Sequence, residues 1–367
     1  MQKNCYDYPI EITRGAFDAD NQTFAKLLRE VTGAERPKVL LVADYNVVQH
    51  TEGLGSKIGR YVQENDVDLL GSPLVLPGGE KIKADNLQSA LKVVSAILSA
   101  KLGSDGCVVS LGGGTVQDVV GYAASQARGG VKLVRMPTTY ASMASSTFAT
   151  YAAVDSVSVK DAMRVPSVPA GVLVDTDFAF SVLDGVWRAG IGETVKIALA
   201  KDASLFKKVA ASVEEFRQRN DEVMEALLGD TIKLAKKKGP SSIAEWVAAR
   251  LEAMSSYKLP HGYAVAIGIC IDARYAVLSG HMKQTDFETV RNVLSESGAL
   301  DGAMHSRYLL ARDDEIVFGL NAWELSSGSP AIEVPAGIGK SVKIDEPDRD
   351  MVQDAIRTAF RNEVVEM

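Results

Sequence analysis

Short β-branched runs alternate with amphipathic stretches through the first half of the chain, the pattern of a parallel sheet with helices on its faces. Residues 39–43, 74–76, 107–111, 133–136 and 172–175 read as buried strands. They finish in polar or glycine residues, among them Asp44-Tyr-Asn46, Pro77-Gly-Gly-Glu80, Gly112-Gly-Gly114 and Pro137-Thr-Thr139. Ligands of open α/β sheets bind outside the carboxyl ends of the strands, so these residues fall along one functional edge. From about Phe178 the apolar period becomes 3.6. Residues 187–201, 205–219, 222–237, 243–255, 263–279, 286–297 and 348–361 then predict helices. The expected architecture is an α/β domain over 1–180 followed by an all-α domain over 181–367.

A chain of 367 residues is long enough for two such cores. A hydrophobic content of 46% with 24% charged residues describes a globular protein. The net charge of −7 argues against nucleic acid as a partner, and Lys236-Lys-Lys238 reads as a solvated helix end. Cys5, Cys107 and Cys270 have no metal or redox spacing, and the last two sit in apolar runs that suggest core positions. No stretch has the length of a membrane span, and the first eight residues lack a signal-peptide core. A cytoplasmic protein is expected.

The most informative segment is Ser110-Leu-Gly-Gly-Gly-Thr-Val-Gln-Asp-Val-Val-Gly121. A strand that ends in glycines and opens a helix over 116–124 leaves amide N–H groups aimed at one spot. The helix dipole favours negative charge there, so the place suits a phosphate or pyrophosphate. The spacing differs from the G-x-G-x-x-G of the common dinucleotide fold, and only the addition of Pro137-Thr-Thr139 makes it specific.

Six motifs then occur in order: Asp44-x-Asn46, Gly78-Gly-Glu-x-x-Lys83, Gly112-Gly-Gly-x-x-x-Asp118, Pro137-Thr-Thr139, Gly190-x-x-Glu193-x-x-Lys196 and His261-Gly262. Over roughly residues 39–273 this series resembles 3-dehydroquinate synthase and its relatives the sugar phosphate cyclases, and looks closer to their divergent, specialised-metabolic members. The resemblance implies a Rossmann-like NAD-binding domain, a helical metal and substrate domain, and an active site between them. It implies oxidation of a sugar phosphate hydroxyl, β-elimination of phosphate, reduction of the ketone and an intramolecular aldol closure. NAD and a divalent metal, usually zinc, would assist. A homodimer is the assembly it implies.

Carried over by motif, Asp44 and Asn46 would contact the adenosine end of NAD, with Gly78 beside them. Glu80 and Lys83 would hold its ribose and phosphate region, although taken singly they read as an exposed turn. Gly113, Gly114 and Asp118 would cradle the pyrophosphate and nicotinamide side. Thr138, Thr139, Lys160, Phe178 and Ser181 complete the expected cofactor contacts. Glu193 and His261 match metal ligands, and Lys196, on the face of Glu193, would sit near the substrate. His50, His281 and His305 have no such context and read as surface residues.

The departures fall on the substrate and metal side. Where the family has Gly-His-x-x-x-His, this chain places Glu245 and Ala249 at the two histidines. Glu245 reads either as a third, oxygen ligand or as an ordinary helix-surface residue. Two carboxylates with one imidazole make a harder site, which brings manganese, iron or magnesium into play beside zinc. By the resemblance, Tyr151 stands where a lysine grips the substrate phosphonate or phosphate, Ser145 where an aspartate is usual, and Asp155 where an asparagine is. Gly129, beside Arg128, replaces an arginine, and Lys238 is a poor substitute for another. Tyr151 would donate a hydrogen bond or act as an acid, beside Lys196 and Glu245. The substrate expected is a phosphorylated sugar or polyol; a polyol dehydrogenase of the glycerol dehydrogenase type, or a non-catalytic NAD-binding protein, are the alternatives.

Overall fold

The computed structural model describes residues 6–156, 159–301 and 306–360. Cys5, His305 and Arg361, the end of the last predicted helix, lie outside them. The chain divides into two compact units, Met1–Leu183 and Asp184–Met367.

The first unit is built on a seven-stranded sheet. Its strands are β1 (Ile10–Thr13), β2 (Lys38–Asp44), β3 (Asp68–Leu69), β4 (Leu74–Leu76), β5 (Gly106–Gly112), β6 (Leu133–Pro137) and, after a small hairpin, β9 (Gly171–Asp175). The hairpin pairs β7 (Tyr151–Val154) with β8 (Met163–Pro166) in antiparallel register. The main sheet runs β1-β9-β6-β5-β2-β3, with β4 also on β2, and its pairs are parallel. β5 is buried along its whole length, as its unbroken apolar run requires of a central parallel strand. Leu40, Val42 and Val108 pack with Val116, Val119 and Val120 of helix Gly114–Gln126 and with Val93 and Ile97 of helix Gln88–Ala100.

From β2 the chain moves to β3 and β4 on one side, then returns to β5 on the other. The reversal opens a crevice beyond the carboxyl ends of β2 and β5, the place where doubly wound sheets take ligands. Asp44 ends β2 and Gly112 ends β5, so the sequence motifs stand at the switch point.

The second unit is mostly helical. Helices Asp184–Lys201 and His261–Leu278 approach closely: a Cβ on Gly262 would lie 2.6 Å from the Ala189 carbonyl oxygen. The expected helix over 205–219 is two, Ala203–Ala211 and Val213–Arg217, because the backbone at Ser212 (φ −120°, ψ 12°) leaves helical values. An antiparallel hairpin of β10 (Ile332–Pro335) and β11 (Ser341–Ile344) adds a β element to the helical half. Cys107 and Cys270 are buried, and Lys236, Lys237 and Lys238 form an exposed last helical turn. Among the described residues, no helix is long and apolar enough to cross a membrane.

Candidate functional site

At the rim of the first unit, Asp44 Oδ1 accepts a hydrogen bond from the Asn46 amide at 2.8 Å. Burial raises the Asp44 pKa, with the Asn46 contacts pulling it back. A Cβ on Gly78 would come within 2.1 Å of Asn46 Nδ2 and 2.4 Å of Asp44 Oδ1, so only glycine lets these three meet. A Cβ on Gly112 would likewise press on Val116 Cβ at 2.8 Å. Gly113 precedes helix Gly114–Gln126, which has no side-chain cap. Its first-turn amides therefore have no side-chain acceptor, which fits an anion at this helix start.

Thr138 is 1% exposed; its amide donates to the Gly112 carbonyl at 3.1 Å, while its hydroxyl is buried without a partner. An orphaned hydroxyl beside uncapped amides fits a dinucleotide whose phosphate or ribose oxygens complete both. Thr139 is otherwise engaged: its Oγ1 caps helix Tyr140–Ser145 by accepting from the Ser142 amide at 3.1 Å.

Glu80 and Lys83 do not form an exposed turn. Glu80 Oε1 accepts from Thr115 Oγ1 at 2.8 Å. Lys83, 3% exposed, holds Asp118 Oδ2 at 2.7 Å, Asp161 Oδ1 at 2.8 Å and Asp155 Oδ1 at 3.7 Å. Burial disfavours its charge, but the aspartates and Glu80 outweigh that and hold its pKa well above the ordinary value. Burial raises Asp118 in spite of Lys83. For Asp161 burial is outweighed by Lys83 and Lys160, and its pKa falls. Asp155 Oδ1 also accepts from the Asp161 amide, and its Oδ2 is buried without a hydrogen-bond partner.

Phe178 packs in the core, 6.3 Å from Phe17 ring to ring, and Ser181 Oγ donates to the Phe178 carbonyl at 2.7 Å. These contacts tie the two residues to the fold at the end of β9. Tyr151 opens β7, 38% exposed, with the Arg164 guanidinium 4.1 Å over its ring. Fully buried Arg135 donates to the carbonyls of Ser146, Ala149 and Ser167 at 2.9, 2.7 and 3.1 Å, fixing the segment that leads to Tyr151. Ser145 Oγ turns back to the Ala141 carbonyl, Arg128 is exposed at φ 54°, and the Lys238 ammonium caps the Lys201 carbonyl.

In the second unit a charged cluster lies among the helices. Glu193 and Lys196, one turn apart on Asp184–Lys201, are 3% and 4% exposed and meet at 2.9 Å. Lys196 Nζ also bonds Glu245 Oε1, at the first turn of helix Glu245–Met254, at 2.5 Å. His261 opens helix His261–Leu278; its Nε2 stands 3.3 Å from Glu193 Oε1, and its Nδ1 is 2.6 Å from Glu252 Oε1. Burial raises the Glu193 pKa, but Lys196 and His261 outweigh it and bring the carboxyl down to about 2. Ala249, at the second histidine position, brings no ligand atom.

Among the described residues, no three carboxylate, imidazole or thiol groups already stand at metal-ligand spacing. Two arms nevertheless fit a divalent ion. Glu193 Oε1 is buried without a hydrogen-bond partner and faces His261 Nε2. Donors each about 2.0–2.2 Å from a tetrahedral centre lie roughly 3.3–3.5 Å apart. Glu252 holds the other ring nitrogen, as outer-shell carboxylates do for metal-bound histidines. The third arm, Glu245, is turned to Lys196.

Sequence reasoning missed Glu252, although it lies seven residues after Glu245 and so shares its helix face. It also missed Asp272, a lone carboxylate in the apolar run Ile267-Gly-Ile-Cys-Ile-Asp272. Asp272 accepts from the Ala244 amide at 2.7 Å and Trp246 Nε1 at 3.0 Å, fixing the turn that presents Glu245. Glu333 of β10 holds the same turn through the Ser242 amide at 2.6 Å. His50 and His281 are exposed.

Known proteins are similar to this chain in sequence and in fold. The family model described as 3-dehydroquinate synthase N-terminal matches residues 73–185, and that described as 3-dehydroquinate synthase C-terminal matches 245–306. The 3-dehydroquinate synthase of Vibrio atlanticus (strain LGP32) is 23% identical over 362 residues, 95% of each chain. ValA, a 2-epi-5-epi-valiolone synthase from Streptomyces hygroscopicus subsp. jinggangensis 5008 solved with NAD+ and Zn2+ bound, superposes with a TM-score of 0.82 at 20% identity, covering 96% of each chain. A 2-deoxy-scyllo-inosose synthase complexed with carbaglucose-6-phosphate, NAD+ and Co2+ gives 0.77 at 17% identity, covering 96% of this chain and 97% of that one. With one 3-dehydroquinate synthase model matching each half in chain order, the chain resembles that enzyme in sequence and the two cyclase structures in fold.

Proposed function

We propose that this chain is an NAD-dependent sugar phosphate cyclase of specialised metabolism that eliminates phosphate from a phosphorylated sugar or polyol. The observation that carries the reading is the cluster of Glu193, His261, Lys196 and Glu245, with Glu252 behind His261. NAD, when bound, supplies reversible hydride transfer, and a divalent cation supplies polarisation of the substrate's oxygens. Asp44, Asn46, Gly78, Gly113, Gly114 and Thr138 would hold the dinucleotide. Glu193, His261 and Glu245 would hold the cation, with zinc, manganese, iron or magnesium as candidates.

The chain's own groups set the rest. Lys83 fixes Asp118 at the cofactor rim, so that carboxylate keeps one orientation. Lys196 offers an ammonium to an anionic leaving group. Tyr151 replaces a lysine with a neutral donor, which removes a charge-assisted contact worth about 1.5–3 kcal/mol. The lost contact is one to the substrate's phosphate or phosphonate, and this is why a product other than dehydroquinate is proposed. A homodimer in the cytoplasm belongs to the same reading.

The test is incubation of the purified protein with NAD+, a divalent cation and a series of seven-carbon and six-carbon sugar phosphates. Release of inorganic phosphate without net NADH is expected, because the hydride returns within each turnover. No release across the series contradicts the proposal, and steady NADH accumulation would point instead to a polyol dehydrogenase.

A further inference from the structure

The carboxylates gathered in the helical unit outnumber the cations beside them. Glu193 and Glu245 share one ammonium, that of Lys196, while the His261 imidazole faces Glu193. One ammonium between two carboxylates leaves the pair short of positive charge. Glu193 Oε1, in a residue 3% exposed, has no hydrogen-bond partner, so the deficit has a direction as well as a sign. A divalent ion would answer both.

Lys196 stands in the way of the third arm. Its ammonium bridges Glu193 Oε2 at 2.9 Å and Glu245 Oε1 at 2.5 Å. The bridge exists because position 245 carries a carboxylate; a neutral imidazole, which the family resemblance places there, would offer an ammonium no such partner. The Glu245 side chain is 34% exposed whereas that of Lys196 is 5% exposed. The glutamate therefore has room to turn, and the lysine is the anchored member of the pair.

We propose that the Lys196 ammonium and a divalent cation compete for the Glu245 carboxylate, so that cation binding frees the ammonium for an anionic ligand. The proposal rests on the reading that Glu193, His261 and Glu245 form the cation site. A dication seated against Glu193 and Glu245 repels an ammonium left between them, and a long aliphatic stem lets that ammonium withdraw by rotamer change. Lysine and cation thus take turns at one carboxylate. The Lys196–Glu245 contact thus holds down the affinity for cations.

The test is titration of chelator-stripped full-length protein with Mn2+ and with Zn2+, read by competition with a chromophoric chelator and by thermal melting. K196M is expected to bind the cation at least tenfold more tightly than wild type and to gain more melting temperature from it, while K196R stays near wild type. K196Q gives the same comparison if K196M does not fold. In an E245H background the K196Q gain is expected to shrink below threefold, since the contested carboxylate is gone. Equal or weaker binding by both K196M and K196Q overturns the proposal, as does a gain that persists unchanged in E245H. Wild type and both variants all failing to bind either cation overturns it too. Failure of phosphate release with these affinities intact would remove the cyclase reading and leave the competition standing.

Discussion

Gly78 shows how closely one residue can tie sequence to site. The Cβ of G78A would collide with Asn46 Nδ2 and Asp44 Oδ1, and both are side-chain ends that can swing aside. The fold should therefore survive while the adenosine end of the cofactor loses its contacts. An NAD+ dissociation constant at least tenfold weaker, at a nearly unchanged melting temperature, is the expected calorimetric outcome. Lys83 behaves in the opposite way. K83M takes the Lys83 ammonium from Asp118 and Asp155 and leaves Asp161 with Arg164, and a loss of about 3–5 kcal/mol in denaturant unfolding is expected. The six motifs were legible because each has an ordered set of residue types. The partners of Lys83 were not all legible, since Asp161 reaches it across 78 positions of chain. Tyr151 was legible only as a departure, and its cover by Arg164 comes from hairpin register that no short motif encodes.

At the scale of elements, the turn from Ser241 to Glu245 decides where the third carboxylate points. Ala244 sits there at φ 71°, a left-handed conformation held by Asp272 and by the close approach of Gly268. A Cβ at 268 would meet the Ala244 carbonyl oxygen at 2.9 Å and its Cβ at 2.7 Å. G268A should cost about 1–3 kcal/mol of stability by overpacking and weaken cation binding severalfold as Glu245 shifts; the chelator titration reads the second effect. Asp272 itself is pushed up to about 7, chiefly by burial, against the pull of the Ala244 and Trp246 N–H donors. A carboxyl raised in the folded state binds its proton more tightly there than in the unfolded chain. Its contribution is therefore greatest below the ordinary carboxyl value of 3.8 and declines as pH rises towards 7. The stability of wild type relative to D272N should accordingly fall between pH 4 and pH 7, by on the order of 2–4 kcal/mol. Urea midpoints for the two proteins check the sign, and a difference that grows with pH would contradict it. Nothing in the heptad-scale pattern announced this role, because an aspartate inside an apolar helix reads as an interruption until its two donors are seen.

For the molecule as a whole, β2, β5, β6 and β9 were readable because each is a largely apolar run that the sheet buries, and β4 because Leu74-Val-Leu76 is apolar although only Leu76 is buried. Edge strand β1 escaped because Ile10-Glu-Ile-Thr13 is short and only half-buried, and a partner 162 positions away cannot be read from local pattern. The β10–β11 hairpin hid behind glycine and proline punctuation in a stretch otherwise dominated by helices. The order of motifs at the strand ends carried the family, and the order of strands then explains why those motifs meet at β2 and β5. The whole account depends on that crevice holding a dinucleotide. Calorimetric titration of the purified chain with NAD+ tests it most directly: saturable binding of one molecule per chain, at least tenfold weaker in G78A, is the result predicted. Absence of any heat of binding, or binding indifferent to G78A, would contradict it.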